Sequence, residues 1–207
     1  MERLEPHTLV KISSVEQVDT DEEIPEWVST IFKVATYVIV RRGPQEGKIP
    51  VGIRGYEKYQ RFAGWIAAKD IVKTITPGET VAYLNSVSGI RAKLPAFRVA
   101  NKVIPLLKGY EWGIGGSLQF ELATGLPMVK QSSDLDIIMQ RPQTKMEIST
   151  AKELLESLKI IAGTHADIQI VNGQNGFSLE EYVQQRSSKM MMKTEHGPQL
   201  VMDPWEI

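Results

Sequence analysis

The stretch from Trp112 to Ile138 constrains the fold of this chain more than any other. It reads Trp112-Gly113-Ile114-Gly115-Gly116-Ser117, then an apolar-rich run to Leu126, then Ser132-Ser133-Asp134-Leu135-Asp136-Ile137-Ile138. A strand that ends in paired glycines, a short helix and a second strand belong to a sheet covered by helices. In a strand, residues two apart share a face, so Asp134 and Asp136 aim two carboxylates at one spot while Leu135 and Ile137 bury behind them. Two carboxylates with no cation written beside them repel unless a hard cation sits between them. Mg²⁺ takes oxygen ligands of this kind together with substrate phosphates. The glycine turn before a helix offers backbone N–H groups to those phosphates. The combination points to metal-dependent phosphoryl or nucleotidyl transfer, with Asp134 and Asp136 as metal ligands and Gly115, Gly116 and Ser117 as the phosphate cradle.

Composition narrows the alternatives. The 207 residues suffice for one large domain or two small ones. A formal net charge of −1 argues against broad binding to a nucleic-acid backbone. The absence of cysteine excludes thiol catalysis, disulfides and thiolate metal sites. Met1-Glu2-Arg3-Leu4-Glu5-Pro6 has acids and a proline where a leader needs an apolar core. No apolar run reaches membrane-spanning length. These features set the expectation of a cytoplasmic protein with no nucleic-acid or membrane partner.

The expected fold is α+β: a mixed sheet with helices in the C-terminal half, residues 90–207, and a smaller α/β N-terminal domain with a hairpin, residues 1–89. A strand at Thr8–Ile12 precedes a helix opened by Pro25. Tyr37–Val40 and Ile49–Ile53 form the hairpin, and residues 56–80 carry no clear pattern. A helical pattern runs from Ala92 to Lys108, with Pro105 expected to kink or shorten it. Ser117 is expected to cap a short helix closed by Gly125. Leu135–Met139 is the next strand, and Thr150 with Glu153 reads as a capping box. Ala166–Val171 is a further strand with Asp167 and Gln169 on one face, and Ser178 with Glu181 repeats the capping box. The boundary between the halves is placed near Gly89.

Gly115-Gly116-Ser117, Asp134-x-Asp136 and a later strand acid resemble the nucleotidyltransferase superfamily signature, with a longer gap than usual between Ser117 and Asp134. The fuller text Trp112–Ser117, Phe120-Glu121-Leu122-Ala123-Thr124-Gly125-Leu126-Pro127 and Ser133–Asp136 is similar to the phosphoribosyl-dephospho-CoA transferases of malonate decarboxylase, also called its holo-acyl-carrier-protein synthases. The likeness extends to Val51–Gly55, Gln60–Ala63, Asp167-Ile168-Gln169, Lys193-Thr194, Gly197-Pro198 and Asp203-Pro204-Trp205. Met190-Met191-Met192 departs from the family's apolar run there. The resemblance implies a specific reaction: the prosthetic group of 2′-(5″-triphosphoribosyl)-3′-dephospho-CoA is joined to a serine of the acyl-carrier subunit of malonate decarboxylase, and diphosphate leaves. Mg²⁺ on Asp134 and Asp136 would then bridge the triphosphate. Asp167 would be a third ligand or the acceptor of the serine proton.

Arginine suits bidentate phosphate contact. Arg54 and Arg61 are therefore candidates for the donor's phosphates, and Arg41, Arg42 and Arg54 for an acidic carrier protein. His7, His165 and His196 lack metal-ligand spacing, and Trp65, Trp112 and Trp205 read as core or interface. Two other classes remain open: nucleotidyl transfer to a small molecule or RNA end, and a non-catalytic nucleotide-binding module.

Overall fold

The computed structural model describes residues 3–162 and 166–206. Two compact units divide it. The first takes the chain up to Thr76 with Glu195–Gly197, and the second takes Pro77–Thr194 and Pro198 onward.

The N-terminal unit is built on five antiparallel strands: β1 (Leu9–Lys11), β2 (Tyr37–Val40), β3 (Lys48–Arg54), β4 (Arg61–Ala67) and β5 (Lys73–Ile75), ordered β4-β3-β2-β1-β5. Strict alternation along β2 and β4 sends Val38, Val40, Phe62 and Ile66 to one face. There they bury with Val28 and Phe32 of α1 (Glu26–Phe32) and with Val10, Val51 and Ile53. Pro25 sits at the N-cap of that helix, where a missing N–H costs nothing. The hairpin of β2 and β3 forms with Ile39 opposite Gly52 and Val40 opposite Val51.

The unpatterned segment 56–80 divides between the units. Its β4 and β5 complete the first sheet, and α2 (Pro77–Tyr83) opens the second unit. The division therefore falls ahead of Gly89.

The C-terminal unit carries a six-stranded mixed sheet, ordered β11-β10-β9-β8-β7-β6. Its strands are β6 (Trp112–Ile114), β7 (Leu135–Gln140), β8 (Ala166–Asn172), β9 (Asn175–Ser178), β10 (Met190–Thr194) and β11 (Gly197–Val201). The helices are α3 (Pro95–Val103), α4 (Gly116–Thr124), α5 (Ile148–Ala162) and α6 (Leu179–Gln184). β7 and β8 are parallel and joined through α5, whereas β6 pairs antiparallel with β7 and β9 antiparallel with β8. Leu135, Ile137 and Met139 of β7 and Ile168 and Ile170 of β8 bury with Phe97, Ala100, Leu154 and Leu158 of the helices. Against β6, α2 packs so closely that a Cβ at Gly113 would overlap the backbone of Pro77 and Gly78. Glycine is what permits that approach.

Several helix ends differ from the sequence reading. α3 runs only from Pro95 to Val103, the shortening expected of Pro105 at its C-terminal end, and starts later than Ala92. α4 has Gly115 at its N-cap with no side-chain cap, so Ser117 lies inside its first turn. Gly125 does close α4, in the left-handed conformation with φ +76°. α5 begins at Ile148, which places Thr150 within the helix. At α6, Ser178 caps the Glu181 amide, but the Glu181 carboxylate accepts from the Met191 amide at 2.9 Å, so the box is half made.

One ion pair fixes the path from α4 to β7. The Glu121 carboxylate, 7% exposed, accepts from Arg91 Nε at 2.8 Å, Arg91 Nη2 at 2.6 Å and the Val129 amide at 2.7 Å. Arg91 Nη2 also donates to the Val129 carbonyl at 2.8 Å. The hydrogen bond to Glu121 raises the Arg91 pKa above its usual value. Removing one partner of a buried pair strands the other's charge. Arg91→Met is therefore expected to destabilise the protein by about 3 kcal/mol, tempered by the partial exposure of Arg91. Urea denaturation checks this; a loss under about 0.5 kcal/mol, the scale of an ordinary surface change, would mean that the pair is not structural.

Candidate active site

Gly115, Gly116, Asp136 and Asp167 come together where β6, α4, β7 and β8 adjoin. The Gly115 amide donates to the Asp136 carbonyl at 2.9 Å, which ties the glycine turn to the second residue of β7. That donor is spent within the protein, so the phosphate role expected of Gly115 through its N–H passes to the amides that follow. Gly116 has φ +63° and turns the chain into α4. A Cβ on it would overlap the Asp136 carboxylate, lying 2.9 Å from Cγ. Only glycine lets the start of this helix lie directly against that side chain.

The first amides of an α-helix have no partner within it, and the N-cap of α4 is Gly115, which has no side chain to cap them. They join the positive end of the helix dipole, a combination suited to an anion. Ser117, half-buried, adds a hydroxyl in the first turn.

The acids follow from sheet register. Asp136 and Asp167 are direct partners on the parallel strands β7 and β8, which sets their Cα atoms about 4.8 Å apart in the hydrogen-bonding direction. Both are half-buried, while their neighbours Leu135, Ile137 and Ile168 are fully buried on the opposite face. Gln169, 8% exposed, shares the Asp167 face. Asp134 is exposed and immediately precedes β7. Among the described residues no three of His, Asp and Glu converge into a metal-binding group, so Asp134, Asp136 and Asp167 do not form one three-ligand cluster. Mg²⁺ needs no such cage, because one or two carboxylates, water and substrate phosphates complete its shell.

Arg54 and Arg61 belong to the N-terminal unit, directly opposite each other on β3 and β4. Arg41 is exposed at the end of β2, whereas Arg42 is half-buried and burial lowers its pKa below the usual value. Trp205 packs edge-on with Phe177 and Tyr182, at centroid distances of 5.4 and 5.7 Å, and is a core residue as expected. His165 lies outside the described residues. The alignment of Asp136 with Asp167 rests on strand register, which the one-dimensional spacing did not supply.

The site thus sets donors for an anion beside acceptors for a cation, on an α+β framework. The phosphoribosyl-dephospho-CoA transferase MdcG N-terminal domain matches residues 5–77, and the MdcG C-terminal domain matches residues 84–204. A phosphoribosyl-dephospho-CoA transferase of Klebsiella pneumoniae (strain 342) is 30% identical over 97% of this chain and 95% of its own length. One from Pseudomonas syringae pv. tomato is 31% identical over 90% of this chain and 87% of its own. One from Azotobacter vinelandii is 29% identical over 97% and 94%. No solved structure matches the chain. The chain belongs to the phosphoribosyl-dephospho-CoA transferase family. No helix among the described residues is long and apolar enough to cross a membrane.

Gly116→Ala isolates the glycine contact. The left-handed conformation alone costs a side chain about 1–2 kcal/mol, and the new methyl displaces the Asp136 carboxylate. Affinity for inorganic triphosphate, used as a probe of anion binding at this helix start, is expected to fall at least tenfold, read by titration of protein confirmed to be folded. Unchanged triphosphate affinity would make the turn purely structural.

Proposed function

We propose that the chain transfers the 2′-(5″-phosphoribosyl)-3′-dephospho-CoA group from its triphosphoribosyl precursor to a serine of the acyl-carrier subunit of malonate decarboxylase. The serine oxygen forms a bond to the phosphorus nearest the ribose, and the bond from that phosphorus to the outer two phosphates breaks. Diphosphate leaves and a phosphodiester remains. The single observation that carries the chemistry is the start of α4 lying directly against the Asp136 carboxylate, a contact that Gly116 permits. The names of the full-length relatives support the substrate class.

Each residue has a distinct part. The first-turn amides of α4 and the Ser117 hydroxyl bind the outer phosphates and orient the triphosphate for in-line displacement. Asp136 and Asp134 are the proposed Mg²⁺ ligands, with Asp136 the better placed because the glycine turn fixes it. The metal, when bound, neutralises charge on the phosphate oxygens. Asp167, the register partner of Asp136, accepts the serine proton. Gly115 binds no phosphate; its amide holds the turn on β7.

Intact-mass spectrometry of the apo carrier subunit, incubated with enzyme, Mg²⁺ and the triphosphoribosyl precursor, tests this reading. The carrier is expected to gain the mass of the prosthetic group, and ATP in place of the precursor is expected to give no adduct. Asp136→Asn, nearly isosteric on a half-buried strand position, is expected to slow transfer by about 10²–10³-fold, the scale of a lost electrostatic stabiliser. A carrier of unchanged mass with the wild-type enzyme would falsify the acceptor assignment. A folded Asp136→Asn protein working at full rate would remove the carboxylate from the mechanism.

A further inference from the structure

The N-terminal sheet carries a pattern that the transfer chemistry does not use. Register places Lys73 of β5 opposite Lys11 of β1, Lys11 opposite Tyr37 of β2, and Arg54 of β3 opposite Arg61 of β4. The pairing of Ile39 with Gly52, two residues along, puts Tyr37 and Arg54 in the same row. A single row across all five strands therefore reads Lys73, Lys11, Tyr37, Arg54, Arg61, with no carboxylate in it. The alternating residues Val10, Val38, Ile53 and Phe62 bury against α1, so the row faces outward. Lys11, Lys73 and Arg61 are exposed; Tyr37 and Arg54 are half-buried. Like charges directly opposite on a sheet are destabilising, and the exposed Lys11 and Lys73 form such a pair. Arg61 is further steadied by its Nε, which donates to the Lys58 carbonyl at 3.2 Å.

The dimensions select the kind of ligand. Four strand spacings make the row about 19 Å long, too long for one triphosphate to meet both ends. A helix of about 13 residues has that length. Carboxylates three or four residues apart on a helix stand about 5–6 Å from each other, close to the strand spacing of about 4.8 Å. Two residues along the strands lies an apolar row. Its open part is Ile39, Gly52 and Ala63, and it continues into the buried Leu9 and Ile75. At Gly52 the side chains of Arg41 and Ile39 lie over the strand, which adds the stem of a further cation to this face, and the exposed Ala63 beside it presents only a methyl group. Trp65, 40% exposed on β4, stands beyond them.

We infer that this face receives an acidic amphipathic helix of the protein acceptor, laid across the strands with its carboxylates on the cation row and its apolar edge over Ile39 and Ala63. The inference rests on the reading that the acceptor is a protein. It gives Arg54 and Arg61 to the acceptor instead of the donor's phosphates. Arg42, on the buried parity of β2, takes no part.

Binding of fluorescently labelled apo carrier subunit, measured without donor so that no chemistry intervenes, tests the surface. Lys11→Glu/Arg61→Glu is expected to raise the dissociation constant at least tenfold at low salt, and the neutral Lys11→Gln/Arg61→Gln by less. Added salt is expected to narrow both differences. A control with the same charge change on α5, Lys152→Glu/Lys159→Glu, is expected to stay within about twofold of wild type, as rim charges outside a contact do. Affinity for the triphosphate donor is expected to be unchanged in all three. The inference is overturned if the row variants bind the carrier as wild type does, or if the control loses as much. It is equally overturned if the row variants lose the donor and keep the carrier. A wild-type protein that modifies the carrier while the row variants bind it normally fails the surface alone. A wild-type protein that neither binds nor modifies it fails the acceptor reading and the surface together.

Discussion

The candidate site depends on one close contact, the backbone of Gly116 against the carboxylate of Asp136. With a hydrogen atom where other residues carry Cβ, the chain can turn through φ +63° and begin α4 in contact with an acid on β7. The hydrogen bond from the Gly115 amide to the Asp136 carbonyl holds the turn in place. A helix start rich in donors and a strand rich in acceptors would otherwise attract each other at random geometry. Here the covalent turn and one main-chain bond fix that geometry in advance, the preorganisation that the proposed transfer would use.

Parallel pairing of β7 with β8 supplies the second acid. Asp136 and Asp167 share a row because α5 returns the chain to start β8 in register with β7. Holding two carboxylates at strand spacing costs free energy, and the fully buried Leu135, Ile137, Ile168 and Ile170 behind them offset that cost at roughly 1.5–3 kcal/mol for each fully buried side chain. The Arg91–Glu121 pair steadies the other approach, because it ties α4 to the Val129 segment that leads into Asp134. The site is thus braced by a hydrophobic layer beneath and an ion pair beside it.

Local chemistry explains what could be read without coordinates. Alternation exposed β2, β3, β7 and β8. Gly125 announced its helix end, and Gly115-Gly116 announced the turn, because each of these signals lies within a few residues. What escaped was long-range or ambiguous. Ser117 and Thr150 are good capping residues, yet the helices begin before them, with Gly115 and the 147–148 junction setting the starts. β9, β10 and β11 are short and edgeward, so their weak patterns needed their neighbours to be seen. Glu121 stood inside a quoted motif, but its partner Arg91 lies 30 positions earlier. The cation row draws Lys73, Lys11, Arg54 and Arg61 from four strands, and only register assembles it.

The most direct measurement of the central claim is a crystal structure with Mn²⁺ and inorganic triphosphate, the metal placed by its anomalous signal. The expected result is a metal bonded to the Asp136 carboxylate at about 2.0–2.2 Å, close to the Mg²⁺–oxygen distance of about 2.0–2.1 Å. The triphosphate is expected to bridge that metal and the first-turn amides of α4. Well-ordered Mn²⁺ and triphosphate bound elsewhere, with Asp136 and the start of α4 touching neither, would contradict the account.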